Sequence, residues 1–176
     1  MKILAIGAST SSTSINRQLA TYTANLIQGA AVLSLDLRTL VLPIYSEDTE
    51  KSEGIPPPAK MFVSHIDQYK GIVLSLAEHN GSFTAAFKNI LDWSTRVEKN
   101  VWQNTPMFLL STSPGSRGGS SVMEAAQKSF PHLGADIVAS FSLPSFHDTF
   151  SEKTGILDPI LKGTFRTELA KFEASL

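Results

Sequence analysis

The stretch Leu74-Ser-Leu-Ala-Glu-His-Asn-Gly-Ser-Phe-Thr-Ala-Ala-Phe-Lys-Asn-Ile-Leu-Asp-Trp93 decides the fold. It opens as the end of an apolar strand, crosses a polar loop and leaves on an amphipathic helix. Asn80-Gly81 suits a tight turn, because both residues tolerate positive φ. Thr84 is placed to cap a helix of about Ala85 to Val97, whose residues Ala85, Ala86, Phe87 and Leu91 favour that state. A loop that joins the carboxyl end of a parallel strand to a helix N-terminus is where open α/β sheets hold their ligands.

Two further segments have this form: Gly7-Ala-Ser-Thr-Ser-Ser-Thr-Ser-Ile-Asn16 and Ser111-Thr-Ser-Pro-Gly-Ser-Arg-Gly-Gly119. The strands feeding them, Lys2–Ile6 and Pro106–Ser111, are short continuous apolar runs, the pattern of strands buried on both faces. Ala30–Leu35 and Asp136–Ser140 complete a set of five. The spacing predicts helices from about Ser14 to Gln28, Pro58 to Tyr69, Gly119 to Leu133 and Asp158 to Glu173. The last of these has Ile160, Leu161, Phe165, Leu169 and Phe172 facing inward. Asp36 to Pro58, broken by Pro43, Gly54 and Pro56-Pro-Pro58, reads as a surface excursion with its acidic residues in solvent. Strand and helix alternate throughout, which predicts a three-layer, doubly wound parallel α/β sheet of flavodoxin-like strand order 2-1-3-4-5. Residues 1–176 are expected to form one such domain.

Composition narrows the function. Apolar residues make up 42% of the 176, charged residues 18%, and the net charge is −1. Neither a nucleic-acid partner nor a membrane is expected from that balance. Cysteine is absent, so no thiolate nucleophile, disulfide or thiolate metal site exists, and a cytoplasmic location is the default. No H-E-x-x-H or other ligand spacing predicts a metal. No G-x-S-x-G elbow supports acyl hydrolysis. The first loop is neither a Walker A nor a G-x-G-x-x-G sequence. Its hydroxyls and the N-terminus of the following helix still form a natural anion site, with a capping loop that binds nothing as the alternative.

The segments Gly7-Ala-Ser9, Ser14-Ile-Asn16-Arg-Gln-Leu-Ala20, Glu78-His-Asn-Gly-Ser82, Phe87-Lys-Asn-Ile-Leu-Asp-Trp93 and Ser113-Pro-Gly-Ser-Arg-Gly-Gly119 follow one another in an order and spacing that resembles the NADPH-dependent FMN reductase family, azoreductase-like and quinone-reductase-like members included. The resemblance spans about residues 1 to 140. It implies an enzyme in which FMN itself carries the redox chemistry, with no catalytic side chain. NADPH or NADH is the implied hydride donor, and a flavin, quinone or azo compound the acceptor, in ping-pong order. By matching position it implies that Ser9, Ser11, Ser14, Ile15 and Asn16 hold the FMN phosphate. Glu78, His79, Asn80, Gly81 and Ser82 would line the isoalloxazine and ribityl chain. Ser113, Gly115, Arg117, Gly118 and Gly119 would approach the pyrimidine edge. It also implies a homodimer or dimer of dimers, its pocket completed by the Asp36–Pro58 excursion. The chain departs from the family pattern at Ala8, Ala77 and His79, and at Ser11, where the family has an arginine that can pair with phosphate. An electron carrier of flavodoxin type and a flavin-less binding module on the same fold are the alternatives.

Overall fold

The computed structural model describes all 176 residues. Five parallel strands form the central sheet: β1 (Lys2–Ala8), β2 (Ala31–Leu35), β3 (Gly71–Leu76), β4 (Pro106–Thr112) and β5 (Asp136–Leu143). Their spatial order is β2-β1-β3-β4-β5. This is the doubly wound arrangement expected, with the direction of winding reversing between β1 and β3. The central strands are buried on both faces: β3 is buried throughout and β1 from Ile3 onward. The edge strand β5 alternates instead, and extends past the expected Ser140 because Phe141 and Leu143 continue its inward face.

Helices cover both faces. On one side α1 (Ile15–Asn25) and α7 (Pro159–Ala174) pack Leu19, Ala20, Phe165 and Phe172 against Ile3, Ala5, Val73 and Phe108. On the other, α3 (Pro57–Gln68), α4 (Ala85–Val97) and α5 (Ser120–Ser129) pack Phe62, Phe87, Ile90 and Val122 against Leu4, Ile6, Leu74 and Leu109. Adjacent strand residues alternate between the two cores, as the period of a pleated strand requires. Ile160 departs from expectation. It lies in the first turn of α7 and is 80% exposed, so the buried stripe of that helix starts later, at Phe165. No helix of the protein is long and apolar enough to cross a membrane.

The excursion after β2 is more ordered than its sequence suggested. A short helix, α2 (Glu47–Glu53), is capped by Ser46, whose Oγ accepts from Thr49 N at 3.0 Å, and stops at Gly54 with φ of 75°. It buries no residue, so it leaves no apolar period to detect. Helix α4 clamps the segment before it. Trp93 Nε1 and Asn89 Nδ2 donate to Pro43 O at 2.7 and 2.9 Å, and Asn89 Oδ1 accepts from Tyr45 N at 2.9 Å. Trp93 is fully buried in the core.

Candidate functional site

The carboxyl ends of β1, β3 and β4 open into one cleft of about 220 Å³. Each of the three loops singled out in the sequence contributes to it, because parallel strands all end at the same edge.

The first loop runs from β1 to α1. Gly7 lets the two elements approach closely: a Cβ there would stand 2.3 Å from Arg17 N and 2.4 Å from Arg17 Cα. Ser14 caps α1 by accepting from Arg17 N at 3.1 Å. That leaves the N–H groups of Ile15 and Asn16 at the positive end of the helix without intrahelical partners. Ser9 and Ser11 pin the loop on itself, with Ser11 N donating to Ser9 Oγ at 3.1 Å and Thr13 N to Ser11 Oγ at 3.3 Å. Asn16 turns away from solvent. Its Oδ1 accepts from Ser75 Oγ at 2.7 Å and from Thr112 N at 3.2 Å, while its Nδ2 donates to Thr112 O at 3.2 Å. The Asn16 amide therefore ties α1 to β3 and β4.

The second loop is a hairpin, Glu78–His79 against Ser82–Phe83. Asn80 and Gly81 turn it with φ of 53° and 75°, the positive pair that a tight two-residue hairpin demands. Thr84 Oγ1 accepts from Phe87 N at 3.3 Å, capping α4, and donates to Ala8 O at 3.0 Å, joining the second loop to the first. Glu78, which the resemblance places beside the cofactor, caps a helix: Oε2 accepts from Val122 N at 3.0 Å, at the start of α5. Helix α5 begins at Gly119 with no side-chain cap of its own, so this carboxylate satisfies an otherwise orphaned N–H and sits at the positive end of a helix.

In the third loop, Gly118 and Gly119 have φ of 58° and 79°. Gly118 O accepts from both Ser111 Oγ and Ser142 Oγ at 2.8 Å. A Cβ on Gly118 would lie 2.7 Å from Ser142 Oγ and 2.9 Å from Leu143 C. These glycines bring the chain down onto the ends of β4 and β5. Arg117 projects into solvent, 75% exposed, with Nη2 3.8 Å from Glu78 Oε1.

Of the residues singled out in the sequence, Ser9, Ser11, Ser14, Ile15, Asn16, Glu78, His79 and Ser113 line the cleft. Asn80, Gly81 and Ser82 form the hairpin tip, and Gly115, Arg117, Gly118 and Gly119 shape the third loop without lining the cleft. His147 lines it as well. The residue sits in the short helix α6 (Phe146–Thr149) that follows β5, carried there by Phe146 N donating to Ser113 O at 3.1 Å and Ser145 N to Gly115 O at 2.9 Å. Only the unusual φ of Ser145, 47°, marks this contact, and its sequence carries no signal for it.

The cleft suits a flavin mononucleotide. One end offers hydroxyls and a helix N-terminus to a phosphate. The carboxylate within the cleft, that of Glu78, faces the positive end of α5 and stands 3.8 Å from Arg117 Nη2, and both offset its charge toward an anion. A larger groove, about 560 Å³, runs along the outer face of α1 by Thr21, Tyr22 and Asn25. It lies away from the strand ends and lacks their convergent loops.

A family model described as NADPH-dependent FMN reductase matches residues 1–148. An NADPH:quinone oxidoreductase of Arabidopsis thaliana is 29% identical over 76% of this chain and 69% of its own. Among solved structures, the FerB NAD(P)H:(acceptor) oxidoreductase of Paracoccus denitrificans superposes with a TM-score of 0.74 at 21% identity, over 99% of this chain and 98% of its own. A flavodoxin from Pseudomonas aeruginosa superposes with a TM-score of 0.54 at 16% identity, over 100% and 99% of the two chains. The two structures establish a shared flavodoxin-like fold.

Proposed function

The chain belongs to the NADPH-dependent FMN reductase family, and on that footing we propose that it is an FMN-dependent oxidoreductase moving two electrons from NADPH or NADH to a small acceptor, a quinone or azo compound, in ping-pong order. The observation that carries this reading is the convergence of three strand-end loops on one cleft with a helix N-terminus at its end. The FMN reductase family and the quinone oxidoreductase relative support the chemistry.

When bound, FMN supplies the hydride and electron transfer itself. The protein's part is to hold and orient. In this reading the hydroxyls of Ser9, Ser11 and Ser14 and the N–H of Ile15 receive the phosphate. Ala77, His79, Ser113 and His147 border the rest of the cofactor. Asn16, Glu78, Gly118 and Gly119 keep those loops in place from behind, through the contacts described above. Arg117, over the mouth of the third loop, offers a positive charge to an approaching anionic nucleotide.

A homodimer is part of the proposal. Val41 and Ile44 are 79% and 86% exposed on the segment clamped by α4, an apolar pair suited to cover by a second copy. The enzymatic reading is tested by steady-state NADPH oxidation with FMN-loaded protein at several quinone concentrations. Parallel double-reciprocal lines are expected. Intersecting lines would overturn the ping-pong order, and no turnover with any quinone or azo acceptor would overturn the reductase reading.

A further inference from the structure

The loop from Gly7 to Ser14 carries hydroxyls but no cation, and no lysine or arginine lies between Lys2 and Arg17. Arg17, in the first turn of α1, turns its guanidinium back on that loop. Its Nη2 donates to Ser12 O at 2.6 Å, and its Nη1 stands 2.9 Å from Asp36 Oδ2. Asp36 follows β2 directly and is gripped from its other side by Arg38, through Nε at 3.0 and 2.9 Å and through Nη2. Arg17 is 24% exposed and does not line the cleft. The guanidinium supports the loop from behind.

We propose that Arg17, Asp36 and Arg38 form a brace that presets the hydroxyl loop to receive the phosphate monoester end of the cofactor, all three acting as positioning residues and none as a ligand. The inference rests on the FMN reading above. Two physical arguments carry it. First, a guanidinium is a planar fork that can engage two partners at once, here a loop carbonyl through a hydrogen bond and a carboxylate on the neighbouring strand end through an ion pair without a hydrogen bond. That fixes the loop to the sheet before ligand arrives, so less ordering remains to be done on binding. Second, one carboxylate shared between two guanidinium groups leaves the cluster with a net charge of about +1 beside a loop that has no charge of its own. Arg38 thereby keeps Asp36 from cancelling Arg17.

The test compares two ligands that differ only in the phosphate. Apoprotein is titrated with FMN and with riboflavin, followed by quenching of flavin fluorescence, for the natural protein and the Arg17→Ala, Arg17→Lys and Asp36→Asn variants. Arg17→Ala is expected to weaken FMN binding about tenfold, because the loop is no longer preset and the positive charge beside it is gone, while riboflavin binding changes less than about twofold. The preference for FMN over riboflavin then falls nearly tenfold. Asp36→Asn releases the fork but raises the cluster's charge by one, so a lower ratio supports the presetting role, and a higher one leaves only charge and contradicts the brace. Arg17→Lys keeps the charge but lacks the fork, and should recover only part of the ratio; full recovery would contradict the two-point brace. If both flavins weaken together, or neither does, the brace is wrong and Arg17 is a general structural residue. If the natural protein binds FMN no better than riboflavin, or binds neither, the FMN reading itself fails and the brace with it.

Discussion

Replacing Asn16 by alanine removes one side chain and strands three buried groups. Ser75 Oγ loses its acceptor, and the N–H and C=O of Thr112 lose a donor–acceptor partner in one step. Asn16 is 3% exposed, Ser75 0% and Thr112 1%, so solvent does not reach these groups without opening the sheet end. Each buried polar group left unpaired costs about 1–3 kcal/mol. Partial relaxation, and rotation of the Ser75 hydroxyl toward a backbone carbonyl, bring the expected total to about 3–5 kcal/mol. At roughly 2–4 °C per kcal/mol for a chain of this size, the melting temperature should fall by about 6–20 °C. Ser75→Ala, which removes one of the three bonds and leaves the other two, should cost about 1 kcal/mol. Chemical unfolding followed by circular dichroism, at fixed protein concentration, measures both. A loss under about 1 kcal/mol for Asn16→Ala, with the denaturant slope unchanged, would refute the reading that this amide holds three elements together.

Three further outcomes are expected. Gly7→Ala forces a Cβ into the backbone of α1 at Arg17, and should destabilise by about 2–3 kcal/mol in the same unfolding assay; a neutral effect would mean α1 does not rest on β1 there. Asp36 has its pKa lowered to about 2, chiefly by the hydrogen bonds from the Arg38 side chain. A carboxylate depressed below its unfolded value stabilises fully above about pH 4 and loses that contribution as pH falls toward 2, so the denaturation midpoint of the natural protein and that of Asp36→Asn should converge across this window, and a constant gap would contradict the pairing. Ile44→Asp puts a charge on an 86% exposed apolar residue; sedimentation should show the proposed dimer shifted to monomer with the fold intact, and an unchanged dimeric mass would place the interface elsewhere.

The central strands were legible because each is a short, continuous apolar run, as strands covered on both faces must be, and their alternation with helices set the doubly wound order. The first turn of α4 and the Asn80-Gly81 turn were legible for a local reason: both depend on residue types with a backbone preference. What did not show was anything set by contacts distant in sequence. Glu78 reaches Val122, 44 residues on, and Asn16 reaches Thr112, 96 residues on. The resemblance places both beside the cofactor, and both line the cleft while also holding its loops together. His147 joins the cleft only because β5 runs on to Leu143 and α6 folds back over Ser113. Helix α2 buries nothing, so only its cap and the acidic first turn of Glu47, Asp48 and Glu50 marked it.

The most direct measurement is the visible spectrum of protein mixed with FMN and then desalted, followed by anaerobic titration with NADPH and with NADH. The account predicts that a flavin band stays with the protein and is bleached by at least one of the two nucleotides. Retained flavin that neither nucleotide bleaches would contradict the reductase assignment in favour of an electron carrier, and a colourless protein would contradict the cofactor site itself.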